Sequence, residues 1–241
     1  MVAPILVVFD LDDTLYLERD FALSGFAAAD AWLCRAGGVK GLAPVCRDLF
    51  FAGERLRVFD RALEMLGLRA DPALVASLVS VYRSHAPDIR LADDAARYLA
   101  SRSPAFPCAM ITDGPTAMQR AKVHALGLGE ALKCIVCTGA LGEGFGKPHP
   151  RAFAMVERWA APTRLPLVYV ADNPVKDFVT PRARGWWTVQ IARRERVHRL
   201  PAPGAAYEAH ARVTTLDALD DCLIRLQRES EDARPAAAVD P

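Results

Sequence analysis

Three aspartates stand close together near the start of the chain, at Asp10, Asp12 and Asp13. Asp10 and Asp12 are two positions apart, so an extended backbone directs both side chains to one face. Two such anions repel each other unless one is protonated or a cation lies between them. The spacing therefore indicates a divalent-metal site with a carboxylate nucleophile beside it. The alternative is that these carboxylates only cap the following segment. Residues 10–16 are called here the acidic turn, whichever role they have.

Three further places along the chain carry polar residues suited to the same chemistry. Thr112 ends an apolar run and is followed by Gly114 and a helix start, where a hydroxyl and backbone N–H groups form an anion cradle. Lys147 lies just before the N-terminus of another predicted helix. Asp172 ends a later apolar run, and Asp177 follows five residues after it.

These residues divide into a cation site and an anion site. Asp10, Asp12 and Asp172 would supply oxygen ligands to a cation, and Thr112 and Lys147 would bind an anion beside it. A cation site that touches an anion site suits a phosphoryl group bound together with Mg²⁺. The preferred ligands of Mg²⁺ are carboxylate and water oxygens.

Short apolar runs that alternate with helical segments must position these residues. Ile5–Phe9 is a continuous apolar run, as expected of a strand buried on both faces of a parallel sheet. Further strands are predicted at Phe106–Thr112, Cys134–Cys137, Leu167–Ala171, Trp186–Ile191 and Arg212–Val213. Repeated strand–helix units predict an α/β fold, a parallel sheet with helices on both faces. The strand ends of such a sheet converge on one crevice.

Residues 16–86 differ from the rest, because they carry no strand-like run and space their apolar residues as helices do. Within them, Asp71 followed by Pro72 is typical of a helix N-cap with proline at the first helical position. We therefore predict a core of residues 1–15 and 87–227 and an all-helical insert at residues 16–86. The charged, then Ala/Pro-rich tail at residues 228–241 is predicted to be disordered.

Composition excludes several classes of protein. The formal net charge is +1 and 52% of the residues are hydrophobic, which indicates neither disorder nor a strong attraction to nucleic acid or membranes. No apolar run approaches the roughly 20 residues that span a bilayer. The six cysteines lack the spacing of a disulfide framework, so we expect a cytoplasmic protein. The oligomeric state stays open, and the basic run Arg193–Arg199 is predicted to be a solvated loop.

Four motifs, in this order, resemble those of the haloacid dehalogenase (HAD) superfamily. FDLDDTL at residues 9–15 matches its DxDx[TV] motif, Thr112 its second motif, Lys147 its third, and Asp172 with Asp177 the acidic form of its fourth. The resemblance covers residues 5 to about 191. It implies a Rossmann-like core and makes the helical insert similar to a C1-type cap.

The resemblance also implies a role for each carboxylate. Asp10 would attack phosphorus and form an aspartyl-phosphate intermediate. Asp12 would protonate the leaving oxygen and then activate the water that hydrolyses the intermediate. Mg²⁺ would be bound by Asp10, by the backbone carbonyl of Asp12 and by Asp172. Asp177 would hold Lys147 or a metal-bound water.

The remaining predicted site residues would bind phosphate or select the substrate. Thr112 and Lys147 would neutralise and orient the transferring group. Asp113 would donate its backbone N–H, although many relatives have asparagine there and its carboxylate adds negative charge near the phosphate. Arg19 and Phe21 lead from the acidic turn into the insert. Arg19 could bind an anionic substituent and Phe21 could stack on a ring, or Phe21 could only pack between helices.

The function that the resemblance implies is Mg²⁺-dependent hydrolysis of a phosphomonoester on a small phosphorylated metabolite. Three alternatives stay open: a nucleoside 5′-monophosphatase, a 2-haloacid dehalogenase, and a phosphate-binding regulator without turnover. The dehalogenase branch needs no metal and typically lacks an aspartate at the position of Asp12. Asp12 and the acidic fourth motif therefore favour a phosphatase. The intact nucleophile, acid/base and lysine argue against the regulator.

Overall fold

The chain divides into two compact units that differ in secondary structure. The computed structural model describes residues 4–103 and 106–232. Residues 18–90 and 117–126 form one unit, called here the helical unit. The other unit, called the sheet unit, takes in the chain before residue 18, residues 91–116 and the chain from residue 127 onwards.

The strands of the described residues form one parallel sheet in the sheet unit. They are β1 Leu6–Phe9, β2 Cys108–Thr112, β3 Leu132–Cys137, β4 Leu167–Ala171, β5 Trp187–Ile191 and β6 Ala211–Val213. Their order across the sheet is β3-β2-β1-β4-β5-β6. The predicted α/β fold with a parallel sheet is confirmed, and each strand lies close to its predicted position.

The centre of the sheet is where the strand order reverses. β1 pairs with β2 on one side and with β4 on the other. The chain therefore winds outward in one direction from β1 to β3 and in the opposite direction from β4 to β6. Loops that leave the strand ends at such a point diverge, and open α/β proteins bind their ligands in the crevice between them.

Ten α-helices lie in the described part of the chain. They are α1 Glu18–Gly37, α2 Leu42–Phe51, α3 Val58–Met65, α4 Pro72–Ser84, α5 Asp93–Ser101, α6 Thr116–Ala125, α7 Leu128–Ala131, α8 Arg151–Ala160, α9 Val179–Ala183 and α10 Leu219–Asp232. None of these ten has the length and the apolar character that a membrane crossing requires.

Helices cover both faces of the sheet, because successive residues of a strand point to opposite sides. Leu6 and Val8 of β1 share a hydrophobic core with Phe153 of α8. Phe9 points the other way and packs edge-to-face on Tyr98 of α5, with ring centroids 5.9 Å apart. Burial on both faces explains why β1 is continuously apolar. It also makes β1 a rigid support for the acidic turn that follows.

The helical unit consists of α1–α4 and most of α6. Aromatic side chains form the centre of this unit. The ring of Phe26 lies 6.0 Å from the rings of Phe50 and Phe59, and 5.6 Å from that of Tyr82, measured between centroids. Contacts at these distances add to the stabilisation that burial of the rings provides.

The predicted start of α4 is confirmed. Asp71 Oδ2 accepts the backbone N–H groups of Ala73 and Leu74, at 3.2 and 3.3 Å, and Pro72 is the first helical residue. A side-chain acceptor at this position satisfies N–H groups that the first turn of a helix leaves unpaired.

Two segment boundaries differ from those expected. Residues 117–126, which the sequence places in the core, belong to the helical unit. In that unit Lys122 Nζ lies 4.3 Å from the centroid of the Phe21 ring. The prediction of a disordered tail is wrong for residues 228–232, which continue α10 because arginine and glutamate favour helix. Residues 233–241 of that predicted tail lie outside the described residues.

The sequence from Pro174 to Arg182 indicates a helical turn directly after β4, but α9 begins only at Val179. Side chains before it bond to the backbone nearby. Asn173 Oδ1 accepts the N–H of Val175 at 3.1 Å, and Asp177 Oδ2 accepts the N–H of Asn173 at 3.0 Å. Such local bonds compete with helical ones, so the loop after β4 keeps a fixed non-helical shape.

Candidate active site

The carboxylates predicted at two strand ends meet where β1 and β4 are neighbours. Asp10 directly follows β1 and Asp172 directly follows β4. The N–H of Asp10 donates to the carbonyl of Val170 at 2.9 Å, which extends the pairing of the two strands. Both aspartates are buried, with 4% and 2% of their surface exposed. The sheet topology therefore brings together two carboxylates that are far apart in the sequence.

Asp177 joins Asp10 and Asp172 in a buried group, called here the acidic cluster. One oxygen from each of the three carboxylates lies within 4.8 Å of the others. Oδ2 of Asp172 is buried and has no hydrogen-bond partner in the described part of the chain. Burial, reinforced by the charges of Asp10 and Asp177, raises the pKa of Asp172 to about 9.

The acidic cluster has the donor set of a divalent-cation site. Carboxylate oxygens are the ligands that Mg²⁺ and Ca²⁺ prefer in proteins. A cation would relieve the repulsion that raises the pKa of Asp172, and it would give the unpaired Oδ2 a partner. The residues present therefore fit a bound divalent metal ion.

Lys147 joins the acidic cluster to the predicted phosphate site. Its Nζ lies 2.8 Å from Oδ1 of Asp10 and 2.8 Å from Oδ1 of Asp177. Burial alone would lower the pKa of Lys147, but these two carboxylates raise it well above its usual value, so the lysine stays charged. Burial raises the pKa of Asp10 to about 6, a rise that Lys147 opposes and Asp177 increases.

Tyr169 is a site residue that sequence reasoning missed. It lies within β4, is fully buried, and donates its hydroxyl to the carbonyl of Ile111 at 3.2 Å. The same hydroxyl accepts a hydrogen bond from Lys147 Nζ at 3.0 Å. The signal available in the sequence was a tyrosine inside a buried apolar strand, because a buried hydroxyl needs a partner.

The carboxylate of Asp113 connects three loops of the site. Its Oδ1 accepts the hydroxyl of Thr138 at 2.8 Å and the backbone N–H of Lys147 at 3.0 Å. Its Oδ2 pairs with Lys176 Nζ at 3.0 Å. Burial would raise the pKa of Asp113, but Lys147 and Lys176 outweigh it and lower the pKa. Lys176, which the sequence analysis did not single out, therefore balances the extra negative charge at Asp113.

Thr112 is the last residue of β2 and is fully buried. Its partner in the sheet is Cys137, the last residue of β3. The loops that follow these two strands approach closely, since a Cβ added to Gly139 would lie 2.3 Å from the carbonyl oxygen of Gly114. Only glycine fits at position 139, so the loop that would bind an anion is packed directly against its neighbour.

Asp12 and Asp13 have surroundings different from those of Asp10. Oδ1 of Asp12 accepts a hydrogen bond from the hydroxyl of Tyr16. The side chain of Asp12 is outside the acidic cluster, and the metal ligand predicted there is its backbone carbonyl. Asp13 is buried with a φ of 53°, and its Oδ2 accepts the N–H of Val197 at 2.5 Å. The buried carboxylate of Asp13 therefore holds the shape of the acidic turn. The side chain of Asp12, in contrast, is partly exposed to solvent.

Arg193 holds the backbone of the acidic turn through the carbonyl of Thr14. Its Nε and Nη2 donate to the carbonyl of Thr14 at 3.0 and 2.7 Å, and its Nη1 bonds both oxygens of Asp94 at 2.9 and 3.1 Å. Burial would raise the pKa of Asp94, but the N–H of Leu216 and the guanidinium of Arg193 outweigh it and lower the pKa. The prediction of a solvated loop is wrong at Arg193, which is buried.

The two predicted substrate contacts, Arg19 and Phe21, lie on α1 in the helical unit. Arg19 is partly exposed, and its Nε lies 3.6 Å from Oδ1 of Asp20. Phe21 is buried, with its ring centroid 5.5 Å from that of Tyr82 and 4.9 Å from that of His85. This packing favours the alternative in which Phe21 holds helices together. The substrate role of Arg19 stays a prediction.

Fold and site define a hydrolase of known family. The chain matches the family model of haloacid dehalogenase-like hydrolases over residues 6–177, a stretch that contains all four strand-end motifs. The chain therefore belongs to the haloacid dehalogenase-like hydrolases, and the family predicted from its motifs is confirmed.

Solved structures of similar proteins share the fold. The 2-haloacid dehalogenase from Pseudomonas syringae pv. Tomato DC3000 is 24% identical with a TM-score of 0.60, over 93% of this chain and 100% of that one. The L-2-haloacid dehalogenase from Xanthobacter autotrophicus is 21% identical with a TM-score of 0.60, over 95% and 99%. The putative HAD-hydrolase YfnB from Bacillus subtilis, bound to magnesium, is 17% identical with a TM-score of 0.64, over 92% and 99%. These identities show the fold alone, and no curated protein matches the chain.

Proposed function

We propose that the protein is a Mg²⁺-dependent phosphomonoesterase that hydrolyses a small phosphorylated metabolite through a phosphorylated Asp10. The observation that carries this proposal is the buried ammonium of Lys147, which lies 2.8 Å from both Asp10 and Asp177 beside the acidic cluster. Transfer of a phosphoryl group needs a fixed positive charge and a divalent cation next to the attacking group. The surroundings of Asp10 can supply both.

In the first step Asp10 attacks the phosphorus of the ester. With a pKa of about 6, its carboxyl group is mostly ionised at neutral pH. A bond forms between a carboxylate oxygen and phosphorus as the bond from phosphorus to the leaving oxygen breaks. Asp12 gives its proton to that leaving oxygen, so that the product departs as an alcohol. Thr112, the backbone N–H groups that follow it and Lys147 bind the phosphoryl oxygens.

In the second step water hydrolyses the aspartyl phosphate. Asp12, now deprotonated, takes a proton from the water as the water oxygen attacks phosphorus, and the bond between Asp10 and phosphorus breaks. Inorganic phosphate leaves, Asp10 returns as a carboxylate and Asp12 is protonated again. A Mg²⁺ ion held by Asp10, Asp172 and the backbone carbonyl of Asp12, with Asp177 beside them, would neutralise charge on the phosphoryl group.

Two alternative functions, a dehalogenase and a nucleoside 5′-monophosphatase, differ in how well the site residues fit them. The dehalogenase alternative is supported by the fold of two structural neighbours. Two observations argue against a dehalogenase. The chain has an aspartate at position 12, which Tyr16 holds by a hydrogen bond. The unpaired oxygen of Asp172 suits a metal ion, and a dehalogenase needs none. The nucleoside 5′-monophosphatase alternative shares the chemistry and differs in substrate. We propose that the helical unit acts as a C1-type cap and makes that choice, with Arg19 as one contact.

The proposal is tested by hydrolysis of p-nitrophenyl phosphate with Mg²⁺ and with EDTA, next to chloride release from 2-chloropropionate. We expect Mg²⁺-dependent release of nitrophenol, reduced about 10³-fold or more in Asp10→Asn because the nucleophile is gone. Asp71→Asn is the matched control, since asparagine keeps the N-cap acceptor of α4, and it should retain the full rate. Full-rate turnover by Asp10→Asn, or metal-independent chloride release by the wild type, would contradict the proposal.

A further inference from the structure

Tyr16 ends the acidic turn and reaches back to Asp12. The backbones of the two residues form an isolated bridge, and the hydroxyl of Tyr16 donates a hydrogen bond to Oδ1 of Asp12. Tyr16 is fully buried, whereas Asp12 is partly exposed. A buried aromatic donor therefore holds one oxygen of a partly exposed carboxylate.

Hydrogen bonds in the backbone of the acidic turn fix the position of Tyr16. The carbonyl of Leu11 accepts the N–H groups of Thr14 and Leu15, at 3.2 and 3.0 Å. The carbonyl of Leu15 in turn accepts the N–H of Ala92 at 2.9 Å, which ties the residue before Tyr16 to the start of α5. A tyrosine has only two side-chain torsions, and full burial restricts both. The hydroxyl of Tyr16 is therefore held at a defined point.

We propose that Tyr16 is the positioning residue for Asp12. Its hydrogen bond to Oδ1 fixes the direction of the Asp12 carboxyl group, an inference that rests on the proposed acid and base role of Asp12. Oδ1 accepts from Tyr16 in both protonation states, because a protonated carboxyl group keeps acceptor capacity on its other oxygen. The carboxyl group therefore keeps one orientation while it gives a proton to the leaving oxygen and later takes one from water.

The test compares two leaving groups of similar shape in Tyr16→Phe, which keeps the buried ring and removes only the hydroxyl. The value of kcat/KM reports the step in which the leaving group departs. Phenol has a pKa of about 10 and needs the proton of Asp12, whereas p-nitrophenolate is a weaker base and leaves without it. We expect kcat/KM to fall roughly tenfold or more for phenyl phosphate and no more than about threefold for p-nitrophenyl phosphate.

Two further variants calibrate this result. Asp12→Asn removes the acid itself, so the same preference against phenyl phosphate should appear in a stronger form. Tyr98→Phe is the matched control, because Tyr98 is also buried in the sheet unit and its hydroxyl contacts Asp220, at 3.2 Å, instead of the acidic turn. Both kcat/KM values of Tyr98→Phe should equal those of the wild type.

The possible outcomes separate this inference from the proposed function. A selective loss for phenyl phosphate in Tyr16→Phe supports it. An equal loss for both esters would mean that Tyr16 only supports the fold of the turn, and this overturns the inference. No loss in Tyr16→Phe, with Asp12→Asn still selective, also overturns it and leaves the proposed function standing. A wild type that hydrolyses neither ester overturns the proposed function and this inference with it.

Discussion

The buried ion pair of Arg193 and Asp94 tests how the acidic turn is held in place. Arg193 bonds both oxygens of Asp94, at 2.9 and 3.1 Å, and it also donates twice to the carbonyl of Thr14. The two side chains are only 9% and 8% exposed. We predict that Arg193→Met, which fills similar space without the charge, strongly lowers the free energy of unfolding.

The magnitude follows from what the substitution leaves behind. Asp94 would stay buried without a cation, and breaking a buried pair from one side costs about 3–5 kcal/mol. Asp94 would keep the hydroxyl of Thr215 at 3.0 Å and the N–H of Leu216 at 2.6 Å, which limits the cost. The carbonyl of Thr14 would lose both donors, which adds about 1 kcal/mol. We therefore expect a loss of about 4 kcal/mol.

Urea denaturation followed by tryptophan fluorescence measures this loss. Arg97→Met is the matched control, because Arg97 also bonds both carboxylate oxygens of one aspartate, Asp217, at 3.1 and 2.6 Å. The side chains of that pair are 61% and 49% exposed, so solvent screens it and its loss should be far smaller. Equal losses in the two variants would refute the reasoning that burial sets the cost.

The same pair makes a prediction about pH. Burial raises the pKa of Asp94, but its hydrogen bonds and Arg193 bring the folded value below the unfolded value of 3.8. The stabilisation is therefore present above the unfolded pKa and is lost as the pH falls through the folded pKa. The difference in unfolding free energy between wild type and Arg193→Met should narrow as the pH falls, because the buried Asp94 of the variant takes up a proton at a higher pH than that of the wild type. A difference that widens in acid would contradict the assignment.

Two further substitutions test backbone geometry. Gly139→Ala would bring a Cβ to 2.3 Å from the carbonyl oxygen of Gly114, so we expect a lower melting temperature, from a loss of about 1–3 kcal/mol, and slower hydrolysis of p-nitrophenyl phosphate. Gly129→Ala, whose Cβ meets nothing within 4 Å, should melt like the wild type, and an equally stable Gly139→Ala would argue against the close approach. Asp71→Ala removes the N-cap of α4 and should cost about 1 kcal/mol in thermal unfolding, most of which Asp71→Asn restores. An unchanged melting temperature in Asp71→Ala would show that the cap contributes nothing.

The parallel sheet explains why much of the fold and of the candidate site could be predicted from the sequence. Apolar runs identify the strands, and parallel topology then brings the ends of neighbouring strands to one edge. The positions of Asp10 and Asp172 follow from this argument alone. The contact of Lys147 with Asp10 also follows, once the loop that carries the lysine is known to leave the same edge.

Side-chain pairs between loops could not be predicted, because no local pattern encodes the path of a loop. Asp113 and Lys176 are distant in sequence and meet only through the turn after β4. Arg193 begins a basic run in which Arg194 and Arg199 are exposed, so composition correctly indicated a solvated loop for those two and failed for the one residue that is buried. The start of α9 was missed for a similar reason, since Asn173 and Asp177 bond to the backbone instead of joining a helix.

The acidic cluster affects how a chain of this kind can change in evolution. Burial, together with repulsion from Asp10 and Asp177, raises the pKa of Asp172 to about 9, a cost that the unfolded chain does not carry. At neutral pH the cluster therefore lowers the free energy of unfolding. An asparagine in place of Asp172 would favour the folded state and weaken cation binding, so selection for robustness and selection for activity act in opposite directions there. A copy of this chain released from its function would be expected to lose Asp172 before it lost the apolar strands beneath it.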